Sequence, residues 1–599
     1  MRQKDILMNV TRTFLTRTAW SGVWGGKKFD RLIVCCILLL GVRAFAGTSA
    51  KVSAELQTSN SQPVDVIVQY KTTPVTKHFN NASKHGAKLK TQFTLSNGAV
   101  YSLTASQASQ LANDDSDIAY ITPDRPVKAT WGGGIDYSSQ FEAVNADIAQ
   151  GYGYDGTGVT VAVIDSGIGS HSDLSSRVVY AQDFTGQGTD DQYGHGTHVA
   201  GIIGGNGYRS GSGCSNCTTT YMGIAPNVKF VSLKVLDKNG SGTDSNVIAA
   251  IQRAIALKST YNIRIINLSL GRGIYESYTT DPLTQAVEQA WKAGIFVVVA
   301  AGNYGRDDSN GRDGYGTITS PGNDPYVMTV GAMRTFGTDT RVDDVPTSYS
   351  SKGPSFIDHV VKPDIVAAGN KVVSLLAPNA TLDTKYPVTL VPLSEYQSTN
   401  STANSTYYFR LSGTSMAAPQ VSGAAALMLD KTSTLTPDQL KARLMKSAFK
   451  NIPVYSTSTD AATGVVYTEQ ADIFTVGAGY LDIAAALKNT DSASSSVGVA
   501  KSPTVTRLSN GQIVLVNGSS VLWGSSVLWG NSVVWGASAL SGTNSSGQSV
   551  LWGSSVIWGS YGTQAYSVLW GNSCSSTSVI WGASTTGSSA TSVLTDGDE

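Results

Sequence analysis

Four nearly unbroken runs of valine, isoleucine and other apolar residues, "GVTVAVID", "VKFVSLKVL", "IRIINLSL" and "GIFVVVAAGN", alternate with stretches of helical apolar spacing such as "TDSNVIAAIQRAIALKST" and "DPLTQAVEQAWKAG". A strand that is wet on one face alternates polar and apolar side chains. Unbroken runs of this kind therefore belong to parallel strands covered on both faces. Strand alternating with helix predicts an α/β fold with a doubly wound, mostly parallel sheet. The texture begins near Thr130 and closes at "GAGYLDIAAAL", near Leu487.

A chain of 599 residues is too long for one core, and the flanks of the α/β region differ from it. Residues 1–46 run from a basic, acid-poor stretch into the apolar run "LIVCCILLLGV" and then Ala44-Phe45-Ala46, the order of a secretory signal peptide. Its 11 apolar residues fall short of the roughly 20 needed to span a bilayer, although a retained anchor is the alternative. Export to the extracellular space is expected. Residues 47–129 hold a small α+β unit: "VDVIVQY" alternates as a half-buried strand, and "AVYSLTASQASQLANDDSDIAYITPD" gives strand, helix and strand. Residues 130–489 form the α/β body, interrupted from Pro378 by a Thr/Ser/Asn-rich stretch that reads as an inserted surface loop. Residues 490–599 form a tail rich in Ser, Gly, Val and Trp, in which "SVLWGS", "SVLWGN", "SVVWGA" and "SVIWGS" recur. Trp523, Trp529 and Trp535 stand six apart, which suggests a β-rich module of stacked coils with a disordered linker as the alternative. Such a module would tether the chain to a cell surface or an insoluble substrate.

The 43 basic and 43 acidic residues balance, and no cationic cluster interleaved with aromatics appears, so nucleic acid is not an expected partner. Of five cysteines, Cys35 and Cys36 lie in the signal region. Cys214 and Cys217 share a Gly/Ser/Thr-rich loop with no second pair to complete a zinc site, so a local disulfide is expected and Cys574 is left over.

Polar residues sit at the ends of four predicted elements. Asp165 closes the run "VTVAVID"; His195 and His198 open a helix in "YGHGTHVAGIIGG"; Asn303 follows "GIFVVVAAG"; and Ser415 stands in "LSGTSMAAP" ahead of the helical "VSGAAALML". Alone, Asp165 and Asn303 could be turn residues and Ser415 a helix cap. His195 and His198 are three apart without the intervening glutamate of a zinc helix, which speaks against a metal pair. Ligands of doubly wound sheets gather at strand carboxyl ends, and it is the set of four that suggests chemistry.

The segments "VAVIDSGIGSHSDL", "YGHGTHVAGIIGG", "AAGN" and "LSGTSMAAPQVSGAAALML" resemble the signature stretches of the subtilisin-like serine proteases, in that family's chain order. The resemblance implies a serine endopeptidase with Ser415 as nucleophile, His195 as base, Asp165 orienting the base, His198 structural, and Asn303 donating to the oxyanion together with the Ser415 amide. It implies that Gly240, Ser241 and Gly242, together with Ser269, Leu270 and Gly271, flank an extended peptide near Gly302, so proteins and peptides are the expected substrates. Broad specificity follows, with an apolar residue before the cut, although Glu276 and its loop could approach the cleft. Residues 47–129 resemble, more weakly, an inhibitory propeptide that would be this protein's own partner until cut near residues 129–131. No cofactor is needed for catalysis, and a structural calcium is left open at Asp173. The rival expectation is an adhesive protein with a vestigial protease fold.

Overall fold

A computed structural model describes residues 51–53, 56, 62–93, 97–129, 140–307, 312–338, 340–460, 462–490, 493–507, 513–516, 539–543, 549–553 and 598. The expected signal peptide, Cys574 and most of the tryptophan repeats lie outside these residues. Among the described residues no helix is long and apolar enough to cross a membrane.

The N-terminal unit follows the order β1 (Val64–Tyr70), α1 (Thr76–Lys84), β2 (Lys88–Phe93), β3 (Gly98–Leu103), α2 (Ala105–Asp114) and β4 (Ile118–Pro123). Its strands form an antiparallel sheet in the order β2-β3-β1-β4. Val66, Val68 and Tyr70 pack with Leu103, Leu111 and Ile121 into the unit's own core. Ile67, on the opposite face of β1, joins Phe93 and Val100 in the main core of the α/β body. Strand β1 is thus covered on both faces because the sheet's second face docks on the larger domain. A short strand β5 (Pro126–Ala129) follows.

The body is built on β6 (Thr160–Asp165), β7 (Val178–Asp183), α3 (His195–Gly204), β8 (Lys229–Lys234), β9 (Ser241–Thr243), α4 (Asp244–Tyr261), β10 (Ile263–Leu268), β11 (Leu270–Gly271), α5 (Pro282–Lys292), β12 (Phe296–Ala300), β13 (Met328–Arg334), β14 (Val345–Pro346), β15 (Ile365–Ala368) and α6 (Thr414–Lys431). The eight-stranded sheet runs β14-β13-β12-β10-β6-β8-β7, with β15 also on β13. Every pair is parallel except β13 with β14. The chain leaves β6 for β7 and β8 on one side and then crosses to β10 and β12 on the other, so the direction of winding reverses beside β6. At such a reversal the strand ends open a crevice.

Helix α6 is buried on every side from Thr414 to Leu429, which accounts for its run of Ala and Gly. A Cβ at Gly423 would lie 2.5 Å from the Ile224 side chain, so the small residues of this helix serve close packing as well as access to its N-terminus.

Two expectations about the body need correction. The stretch from Pro378 is not a plain surface loop: it contains a helix, Thr381–Lys385, and feeds a three-stranded antiparallel sheet of Val372–Leu375, Asn404–Leu411 and Leu390–Pro392. Leu382, Val391 and Tyr396 anchor it in the core, a signal that its Ser/Thr-rich composition hides. The body also continues past residue 489. Ala500 and Val505 belong to the main core, the Ala500 amide donates to Asp438 at 2.8 Å, and the Val361 amide donates to the Pro503 carbonyl at 2.8 Å. A truncation near Thr490 would remove core packing along with the tail. Asp598 is likewise buried, accepting from the Ser348 amide at 2.7 Å and pairing with Arg306.

Candidate active site

Neighbouring strands deliver the polar residues. Asp165 ends β6, Ser269 follows β10 directly, and Asn303 comes just after β12, so three adjacent carboxyl ends supply one side of the site. Helices α3 and α6 bring His195 and Ser415 by their first turns.

Asp165 Oδ1 lies 2.7 Å from His195 Nδ1, with both side chains fully buried. A carboxylate contact at this distance puts the imidazole proton on Nδ1 and leaves Nε2 as the base. Among the described residues Nε2 has no hydrogen-bond partner. The close approach of α3 to β6 depends on Gly196, where a Cβ would come 2.1 Å from the Gly167 carbonyl oxygen. Asp191, which the sequence did not single out, secures this turn: it accepts from the Gly194 amide and Ser166 Oγ on one oxygen and from Thr197 N and Oγ1 on the other.

Asn303 Oδ1 accepts from the amide and the hydroxyl of Thr414, both at 2.9 Å. These two donors fix the orientation of the side-chain amide. Its Nδ2 is buried and has no partner among the described residues, a donor held ready beside the start of α6. Thr414 is thus a positioning residue hidden in the "GTS" motif.

Ser415 Oγ donates to the Ser269 carbonyl at 2.9 Å, so engaging His195 requires the Ser415 side chain to turn. Ser269 also supports the start of α6. Pro419 has no N–H to give the Ser415 carbonyl four residues earlier, and Ser269 Oγ satisfies that carbonyl instead at 3.0 Å. Asn267 Nδ2 donates to Ser269 Oγ at 3.0 Å, and Ser422 Oγ donates to Asn267 Oδ1 at 2.8 Å, closing a buried chain of polar groups behind the serine.

Strand β5 runs antiparallel between β9 and β11. Val127 and Lys128 align with Gly242 and Ser241, while Lys128 and Ala129 align with Gly271 and Leu270. Gly240 makes the turn into β9 at a φ of 71°. The Gly302 amide donates to Thr414 Oγ1 at 3.1 Å, tying the turn after β12 to the start of α6.

A sequence profile of the subtilase family matches residues 156–479. The chain belongs to the subtilase family. It is 36% identical over 371 residues, 61% of this chain and 77% of the other, to the serine protease AprX of Bacillus subtilis. It is 30% identical over 426 residues, 70% of this chain and 94% of the other, to subtilisin E of the same species. To an extracellular serine proteinase of a Thermus species it is 34% identical over 348 residues, 56% of this chain and 68% of the other. Among solved structures, fervidolysin of Fervidobacterium pennivorans superposes with a TM-score of 0.51 at 21% identity, covering 73% of this chain and 62% of that one, a likeness of fold. The protein is a serine protease of the subtilisin type.

In this subtilase His198 does not face the cleft. Its Nε2 donates to the Val372 carbonyl at 3.1 Å and its ring packs edge-on against Phe409. Burial, with His195 beside it, pushes its pKa down to about 3. The folded protein keeps this ring neutral, whereas the unfolded chain takes up a proton near pH 6.5, so stability falls as pH drops through that window, by up to about 1.4 kcal/mol per pH unit. Calorimetry on a Ser415→Ala background between about pH 7 and pH 5 should show Tm falling more steeply than in the same background carrying His198→Gln. Parallel slopes would contradict the assignment.

Cys214 and Cys217 are joined by a disulfide, with Cα atoms 5.5 Å apart. Asp173, where a calcium was left open, is engaged by protein donors. One carboxylate oxygen accepts from the Arg209 amide at 2.9 Å and the other from the Tyr408 hydroxyl at 2.7 Å, while Arg177 donates to the Asp173 carbonyl. Calcium requires a cage of oxygen ligands, and this carboxylate is enclosed by donors.

Proposed function

We propose that the protein is a secreted serine endopeptidase, made as a self-processing zymogen, that cleaves extended peptides of broad sequence through an acyl-enzyme. The observation that carries this reading is β5, a strand of the chain's own N-terminal unit lying where main-chain pairing would hold a peptide. His195 Nε2 takes the Ser415 proton as Oγ attacks the peptide carbonyl, and Asp165 holds the ring and stabilises the imidazolium. The oxyanion is met by Asn303 Nδ2 and the Ser415 amide at the positive end of α6. The imidazolium then protonates the departing amine, and water, activated by the same base, releases the acyl group.

An apolar residue before the cut agrees with the surroundings of Gly302, whose nearest side chains, Thr319 and Ser351, carry no charge. Glu276 is met instead at the position of Arg125, four residues ahead of Ala129 along the same strand. Secretion is supported by the signal-like N-terminus and by an extracellular relative.

Self-processing is tested by mass spectrometry. The wild-type protein should begin near residues 129–131, whereas Ser415→Ala should retain residues 51–128. An identical processed start in both would assign the cut to another protease.

A further inference from the structure

The N-terminal unit also meets the protease through a buried ion pair that the peptide-bond chemistry does not use. Arg125, directly before β5, places Nη2 2.6 Å from Glu276 Oε1 and Nη1 3.2 Å from Oε2. The two side chains are only 4% and 5% exposed. The guanidinium lies 5.0 Å from the centre of the Tyr275 ring, and the Arg125 carbonyl accepts from the Asp244 amide at 2.7 Å, continuing the backbone pairing of the strand. Thr122 Oγ1 also donates to Glu276 Oε1, at 2.7 Å.

Arg125 and Thr122 both belong to the N-terminal unit, so its release strips these donors from the Glu276 carboxylate. The neighbouring cation, Arg272, cannot replace Arg125, because it is held by Asp244 and Asp281 in contacts of 2.8–2.9 Å. With Arg125 gone, Glu276 loses its cation, and Asp244, on which Arg125 also acts, adds to the negative field that attracts another.

We propose that Glu276 and Tyr275 form a substrate subsite for a guanidinium side chain, at the position aligned with Arg125, four residues ahead of the one aligned with Ala129. The proposal rests on the reading that β5 marks the substrate path. In the zymogen Arg125 fills the subsite; in the processed enzyme an arginine of the substrate does. The planar fork matches the carboxylate with two hydrogen bonds and stacks on the ring, which a lysine ammonium does not reproduce.

The test compares acetyl-Arg-Pro-Val-Lys-Ala-aminomethylcoumarin with the same peptide carrying citrulline, a neutral isostere, in place of arginine. The processed wild-type enzyme should show a kcat/KM about tenfold higher for the arginine peptide at low salt, an advantage that shrinks as salt is added. In Glu276→Gln the ratio should fall to about one. Equal rates on the two peptides by a wild-type enzyme that digests casein would overturn the subsite and leave the protease reading intact. An arginine preference that persists in Glu276→Gln would overturn the assignment to Glu276. Failure to cleave casein as well as both peptides would remove the protease reading, and the subsite with it. The wild-type comparison needs no variant and decides the matter even if Glu276→Gln does not fold.

Discussion

Ser415→Ala should lower kcat by about 10⁶-fold, a magnitude transferred from the corresponding loss in subtilisin and equivalent to about 8 kcal/mol of barrier. The geometry supports so large a loss because the remaining groups act on the serine oxygen or on what it forms. With Oγ absent, His195 Nε2 has no proton to accept, and the chain of Ser422, Asn267 and Ser269 still holds the start of α6 without a nucleophile on it. Hydrolysis of a peptide anilide and labelling by a fluorophosphonate should disappear together. Residual labelling of Ser415→Ala at another serine, with activity retained, would mean that the wrong nucleophile has been identified.

Asn303→Ala should cost about 10²–10³-fold in kcat with KM little changed, again a magnitude carried over from the equivalent position of subtilisin. The donor acts only once charge develops on the carbonyl oxygen, so ground-state binding along β9 and β11 should be largely untouched. Thr414 holds the amide by two hydrogen bonds to Oδ1, which keeps Nδ2 directed away from protein acceptors before substrate arrives. The ordering of the two variants is the sharper claim. If Asn303→Ala were as severe as Ser415→Ala, the residue would be supporting the fold of α6; if it were harmless, the oxyanion would be bound elsewhere. Steady-state kinetics with a small anilide substrate separates these outcomes.

Much of the site was legible because its residues stand in short segments with strong local requirements. Asp165 ends an apolar run, and an acid there calls for a partner. Gly196 after His195, which the sequence reading did not single out, lets α3 pack against the loop after β6. The insertion from Pro378 misled because polar composition suggests exposure, yet a few well-placed apolar residues are enough to anchor a segment. The limit at residue 489 misled for a similar reason: Ala500 and Val505 stand in a simple-looking sequence but fill places in the core.

By itself the sequence determined the α/β fold class, since apolar periodicity is a local consequence of packing, while the reacting residues were indicated by segments that resemble the subtilisin-like proteases. Only the tertiary structure decided that Ser269 relieves the carbonyl left unpaired by Pro419, that Tyr408 and Arg209 occupy the Asp173 carboxylate, and that Glu276 receives Arg125. Ser269 and Ser415 are 146 positions apart, Arg125 and Glu276 151, and Asp173 and Tyr408 235. Partners so distant meet only when the sheet and helices have closed on one another, and a residue's chemical type reveals what it can bond to but not which group the fold brings within reach.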